Sequence, residues 1–330
     1  MAAPLPGARS PVSRLALALT AALLAAALAL PWLLAAMDAD YYLSLASRIL
    51  VFAIAATSLN LVLGYGGMVS FGHAAFVGLG AYTTGILISE GVPSGWLHLL
   101  ATLGVTVIAG LLIGSISLRT RGVYFIMITL AFAQMLYYLA NSVKAYGGDE
   151  GLNIRTRSQF GFAGFELDLK DPQVFYFVAL AVLVGALFLL MRFVPSRFGR
   201  AVQALRDDDV RAEALGLPTL RYKLIVFVVA GALGGIAGAL SVNLTGYVSP
   251  GVLHWTQSGT LMVMVILGGV ARIGGGAAGA AALLLLQEVL SAYTLHWEFW
   301  VGWLLLVVVL FARQGLTGLA ADLAAKVMRR

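Results

Sequence analysis

The chain has 330 residues, of which 61% are hydrophobic and 11% charged, with a mean hydropathy of +0.93. Soluble domains carry roughly 25% charge, so this composition excludes a soluble globular protein and asks for lipid around the apolar surface. With no cysteine, disulfides, thiolate catalysis and Cys-ligated metals are excluded, and the net charge of +6 is read as basic residues gathered on the cytoplasmic side and at anionic head groups.

Apolar windows of about 20 residues match a hydrocarbon core of about 30 Å. They predict an all-α polytopic integral membrane protein, a single domain over 1–330, of about ten transmembrane helices. The spans are 15–36, 43–63, 73–90, 96–118, 122–141, 174–194, 222–245, 257–272, 277–294 and 297–312. Arg9 and Arg14 precede the first. Its apolar run exceeds the roughly 7–15 residues of a secretory signal, so it is expected to remain as an uncleaved span.

Alternation from a cytoplasmic N terminus puts Arg119, Arg121, segment 192–223, Arg272 and the basic tail on one side. Asp38, Asp40, Glu90 and loop 142–173 fall on the other. Segment 192–223 carries seven basic and four acidic residues, whereas loop 142–173 carries four basic and five acidic. Cytoplasmic N and C termini follow from this asymmetry.

Residues 58–76 read SLNLVLGYGGMVSFGHAAF, with glycines at 64, 66, 67 and 72 between two spans. Glycine releases backbone from helical geometry. Non-helical backbone at membrane depth survives only where protein or a water-filled cavity satisfies it, and interrupted helices of this kind line transporter pathways. The alternative is an ordinary cytoplasmic turn. His73 alone is a weak signal, since a lone histidine more often makes a structural hydrogen bond.

Segment 195–223 lacks helix breakers over 200–215 and stops at Gly216 and Pro218. Val202 and Leu205 share one face, and Asp207 and Arg211 are spaced for an i,i+4 ion pair. Such a helix either docks in a groove of a soluble partner or merely connects spans at the head groups. Gly231/Gly235, Gly234/Gly238, Gly110/Gly114 and Gly275/Gly279 have the spacing for close helix packing, which says nothing of substrate. Asn60, Gln134, Asn243, Glu288 and Arg272 are scattered polar residues at or near spans. His296-Trp297-Glu298, beside Trp300 and Trp303, reads as an interfacial aromatic belt rather than a metal site. No ATP-binding glycine loop, GxSxG or HExxH occurs, no internal repeat stands out, and no paired intramembrane acids suggest proton coupling. No catalytic residue and no metal ligand is assigned.

The chain resembles the membrane permeases of the branched-chain amino acid ABC importer family, and most closely the LivM type of subunit. The resemblance rests on SLNLVLGYGGMVSFGHAAFVGLGAY at 58–82, RGVYFIMITLAF at 121–132, GGDEGL at 147–152, the run from Gly199 to Leu240 and GYVSPG at 246–251. The chain departs from the family's GGxGxxxGPxxGA pattern at 268–280, where Arg272 stands and the proline is missing.

The resemblance implies a permease of a bacterial cytoplasmic (inner) membrane importer. It would act with a homologous second permease, two cytoplasmic ATPase subunits and a periplasmic substrate-binding protein. Leucine, isoleucine or valine would be carried, or a related solute such as urea, a short amide or an aromatic acid. Loop 142–173 would be periplasmic and loop 195–221 the ATPase-coupling element, with Gly199, Arg200, Ala204, Arg206, Glu213 and Gly216 matching the family pattern. Asn60, Gly64, Ser70, Gly72 and His73 match it along the substrate pathway. The chain itself would bind no cofactor and catalyse nothing, ATP and Mg being used by the partner ATPases. An ion-gradient-driven carrier is the second expectation, and an intramembrane enzyme the last, for want of convergent acids, bases or ligands.

Overall fold

A computed structural model describes residues 22, 24–34, 39–162, 165–294, 296–311 and 315–319. Apolar runs become helices because lipid offers the backbone no partner but itself. In chain order these are α1 (Leu24–Leu34), α2 (Asp40–Asn60), continued by a π-helical turn Leu61–Tyr65, α3 (His73–Ser89), α4 (Gly95–Ser117), α5 (Val123–Ser142), α6 (Pro172–Phe193), α7 (Arg197–Asp207), α8 (Asp209–Ala214), α9 (Thr219–Thr245), α10 (Trp255–Gly268), α11 (Gly275–Tyr293) and α12 (Trp297–Phe311). Among the described residues six helices are long and apolar enough to cross a membrane: α2 with its π turn, α4, α5, α6, α9 and α11. Arg9, Arg14, residues 15–21 and most of the basic tail lie outside the described residues.

Two predicted spans are corrected. The expected spans 73–90 and 257–272 are shorter helices, α3 with 17 residues and α10 with 14. At 1.5 Å per residue they measure about 26 and 21 Å, less than the roughly 30 Å of a hydrocarbon core. Each follows a non-helical stretch, 66–72 and 246–254 with a short 3-10 turn at Pro250–Leu253. Arg272, expected at the end of a span, instead lies in the turn between α10 and α11.

The helices pack with two such interruptions running in opposite directions. The end of α2 meets Arg206 of α7 through the Gly64 carbonyl. The start of α9 meets α8 at the same end, where Lys223 pairs with Asp209, so α2 and α9 are antiparallel. Each is followed by a break, a short helix and a longer one, and α4 lies along α9 while α11 lies along α2. Close approach depends on glycine: a Cβ on Gly238 would stand 1.8 Å from the Val77 carbonyl oxygen, and one on Gly279 1.7 Å from that of Met264. The predicted small-residue spacings therefore mark contact faces.

The core runs along α2, α6, α9, α10 and α11, where Ile54, Leu59, Phe175, Tyr176 and Met264 are buried. Outward faces of α4 and α5 remain apolar, as Ile108, Leu112, Met127 and Leu139 show, the pattern of surface meant for lipid. At the end opposite α7, loop 142–173 is partly ordered as strand. β1 (Leu152–Asn153) pairs antiparallel with β4 (Tyr247–Val248), and β2 (Gln159–Phe162) forms a hairpin with β3 (Phe165–Asp168). Asn243 anchors this region by accepting from the Ser158 N–H at 2.8 Å.

Candidate transport pathway and coupling site

Asn60 is fully buried at the end of α2. Its Oδ1 accepts from the Ala271 N–H at 3.0 Å and its Nδ2 donates to the Arg272 carbonyl at 2.9 Å, so both halves of the amide are used. Gly64 makes that junction possible. A Cβ there would stand 2.3 Å from Asn60 Oδ1 and 2.5 Å from Ala271 N.

Beyond the π turn the chain climbs back into the bundle without helical bonding. The Ser70 hydroxyl accepts from the Gly72 N–H at 3.2 Å, and a Cβ on Gly72 would lie 2.8 Å from the Thr129 carbonyl oxygen. The first free N–H groups of α3 need partners; that of Ala74 donates to Ser258 Oγ of α10 at 2.8 Å. His73 is buried, with Nε2 2.6 Å from Ser58 Oγ. The Ser58 hydroxyl already donates to the Ala55 carbonyl at 2.7 Å, so its lone pair takes the Nε2 proton. His73 Nδ1 is then an acceptor with no hydrogen-bond partner among the described residues. Because Thr129 lies well inside α5, the stretch runs as non-helical backbone from Gly67, exposed beside Arg206, to Gly72 within the bundle, as the glycine run predicts.

A second interruption, not among the sequence expectations, follows α9. Gly246 ends α9 with φ of 69°, Val248 is tied to Leu152, and Pro250–Leu253 lead down to His254. His254 Nε2 lies 3.3 Å from Gln134 Nε2, about midway along α5. Gly246, Pro250 and Gly251 are the breakers that signal it.

At the α7 end, the predicted single helix over 200–215 is corrected to two. Asp208 leaves helical geometry (φ −158°) and its side chain caps α8 by accepting from the Arg211 N–H at 3.0 Å. A capping aspartate breaks what propensity would continue. The predicted Asp207–Arg211 pair does not form: Asp207 pairs with Arg206 at 3.0 Å and Arg211 with Asp208 at 3.4 Å. Val202 and Leu205 are buried together, as their spacing predicts.

Gly199 is buried under α6, its N–H donating to the Ser196 hydroxyl at 3.0 Å and a Cβ there meeting the Phe193 carbonyl oxygen at 2.2 Å. Arg200, Ala204 and Gly216 are exposed, and Gly216 turns the chain with φ of 81°. Glu213 is held by Arg121 at 3.1 Å.

Arg206 joins the two predicted groups. Its Nη1 donates to the Gly64 carbonyl at 3.1 Å, so Asn60, Gly64 and Arg206 form one cluster. Ser70, Gly72 and His73 form a second, and Gly199, Arg200, Ala204, Glu213 and Gly216 are spread over α7 and α8. A cavity of about 230 Å³ lies between Gly67, Arg121, Arg206, Asp209 and Lys223. Val210 and Leu215, not singled out in the sequence, project from α8 at 67% and 77% exposure. Both stand among the charged side chains of the α7 end. Among the described residues no group of three or more His, Asp or Glu is placed to hold a metal.

Residues 41–312 match the family described as branched-chain amino acid transport system / permease component. The chain is 30% identical over 315 residues to the high-affinity branched-chain amino acid transport system permease protein LivM of Salmonella typhimurium, covering 89% of this chain and 73% of the relative. It is 29% identical to LivM of Escherichia coli with the same coverage. To LivH of Escherichia coli it is 26% identical over 73% of this chain and 82% of the relative. No solved structure matches.

Proposed function

The chain belongs to the branched-chain amino acid transport permease family, and from that premise we propose that it is the membrane-spanning subunit of an ATP-driven importer of leucine, isoleucine and valine. Its helices cross a bacterial cytoplasmic membrane as one domain, with both termini and segment 195–221 in the cytoplasm and loop 142–173 in the periplasm. The excess of Arg and Lys at the α7 end supports that orientation. A homologous second permease completes the route, as the likeness to both LivM and LivH supports. A periplasmic binding protein delivers the solute, and two ATPase subunits use ATP and Mg on the cytoplasmic side.

The observation that carries the reading is the Arg206 contact with the Gly64 carbonyl. It ties α7 to the helix end that opens into the interrupted segment. Val210 and Leu215 dock on an ATPase subunit. Movement of that subunit shifts α7 and α8 as a unit, and Arg206 passes the shift to the π turn of α2 and, through Asn60, to the α10–α11 turn.

Replacing Arg206 and Glu213 together by alanine tests this. Uptake of leucine by cells should be lost while the amount of inserted protein stays at the wild-type level. Normal uptake by the double variant would refute the coupling assignment.

A further inference from the structure

Arg48 is exposed, about two turns from the start of α2 and inside the apolar span 40–65. A charged side chain at that depth is costly, and those that persist face a bundle interior or an aqueous cavity. The guanidinium carbon lies 5.8 Å from the centroid of the Phe52 ring, and Arg48 makes no ion pair among the described residues. Of the ionisable groups facing this side of α2, Glu288 of α11 is bound by the Tyr41 hydroxyl.

The register of α10 against α2 places Arg48 beside its start. Asn60 is bonded to the turn after α10, which fixes a common end. From there twelve residues lead back along α2 to Arg48, and thirteen lead from Gly268 to Trp255. At 1.5 Å per residue these are about 18 and 20 Å, so α10 begins level with Arg48 instead of rising past it. Its first turn presents Gln257. Below lies an apolar cavity of about 40 Å³, lined by Val51, Phe52, Ala55, Val77, Gln257 and Leu261. By the volume one water needs, it has room for about three water-sized groups, the scale of the branched end of a small aliphatic side chain. Phe52 belongs to both features.

We propose that Arg48, Phe52 and Gln257 form a carboxylate subsite on the transport route, with the adjoining cavity taking the end of an aliphatic side chain. This rests on the importer reading above and names the chemistry recognised. The guanidinium fork matches a carboxylate in two parallel hydrogen bonds, and the ring of Phe52 keeps it oriented. An α-amino acid with a branched apolar side chain offers both complements. One cation in an otherwise apolar recess holds such a solute without trapping it.

The test uses the whole importer in proteoliposomes, with Arg48→Gln, Arg48→Lys and Ala55→Val. Leucine and valine uptake are measured per assembled complex, beside ATP hydrolysis stimulated by loaded binding protein. Arg48→Gln should lower uptake of both about tenfold or more, the loss expected for a charge-assisted pair, while stimulated hydrolysis stays within about twofold. Arg48→Lys should retain part of the uptake, and Ala55→Val should slow leucine more than valine. Wild-type uptake by Arg48→Gln would overturn the subsite. So would loss of the second permease from that variant's complex, which would mean that Arg48 pairs with the other subunit, or an effect confined to vesicles containing anionic lipid, which would mean a head-group contact. Should Arg48→Gln fail to insert, an unchanged leucine-to-valine ratio in Ala55→Val would overturn it instead. A wild-type complex that moves no leucine with ATP would refute the importer reading itself.

Discussion

Gly64→Ala places one methyl group where the structure has no room. The added Cβ would lie 2.3 Å from Asn60 Oδ1, 2.5 Å from Ala271 N and 2.9 Å from Ala271 Cα. Two of these atoms are the acceptor and donor of the hydrogen bond that joins α2 to the α10–α11 turn. Backbone and a buried amide fill the space, so no flexible side chain can yield. Overpacking of this kind costs about 1–3 kcal/mol. Displacing the Asn60 amide leaves buried polar groups unpaired, at about 1–3 kcal/mol more. Alanine returns at most about 1 kcal/mol as the better helix former, so a net loss of about 3 kcal/mol is expected.

The assay is the midpoint of heat-induced aggregation in mild detergent, with wild type and Gly104→Ala run beside it. Gly104 lies on an exposed face of α4 and a Cβ there meets nothing within 4 Å, so its variant should match or slightly exceed wild type. Gly64→Ala should unfold well below both and lose uptake. An unchanged midpoint with full uptake would refute the view that Asn60 and Gly64 form a packed junction.

Two further outcomes follow from the same geometry. Gly238→Ala, whose Cβ would meet the Val77 carbonyl oxygen at 1.8 Å, should lower the yield of inserted protein sharply, and wild-type yield would contradict the close packing of α3 on α9. Replacing Val210 and Leu215 by serine should leave the aggregation midpoint within about 0.5 kcal/mol equivalent of wild type, as exposed substitutions do, yet reduce ATPase subunits recovered on purification; unchanged recovery would remove α8 from the docking surface.

Hydropathy made the long helices legible, because a run of apolar residues such as 172–193 has one solution in lipid. The glycine run 64–72 was legible as a break for a related reason: Gly64, Gly67 and Gly72 stand where a Cβ would collide or φ is positive. Less legible was the depth of a break. The window 257–272 ran through Gly268-Gly269 because the surrounding residues are apolar, although Gly269 and Ala271 leave helical geometry, with φ of 122° and 57°. The 246–254 interruption carried its breakers openly, but only packing against α5 fixes how far His254 descends. The division at Asp208 turned on which of three consecutive aspartates caps a helix, a choice made by one hydrogen bond. The link from Arg206 to Gly64 spans 142 positions and no local pattern announces it. The inverted arrangement of α2–α4 and α9–α11 likewise leaves no repeat in the residues, since backbone path and not side-chain identity is what the two halves share.

Affinity purification of the tagged chain from mild detergent, with mass spectrometry of the bound proteins and a transport assay in liposomes, tests the central claim most directly. The account predicts recovery of a second, homologous permease and two ATPase subunits, and solute movement only with ATP. A chain that purifies alone and moves solute in liposomes without ATP would contradict it and establish a self-contained carrier.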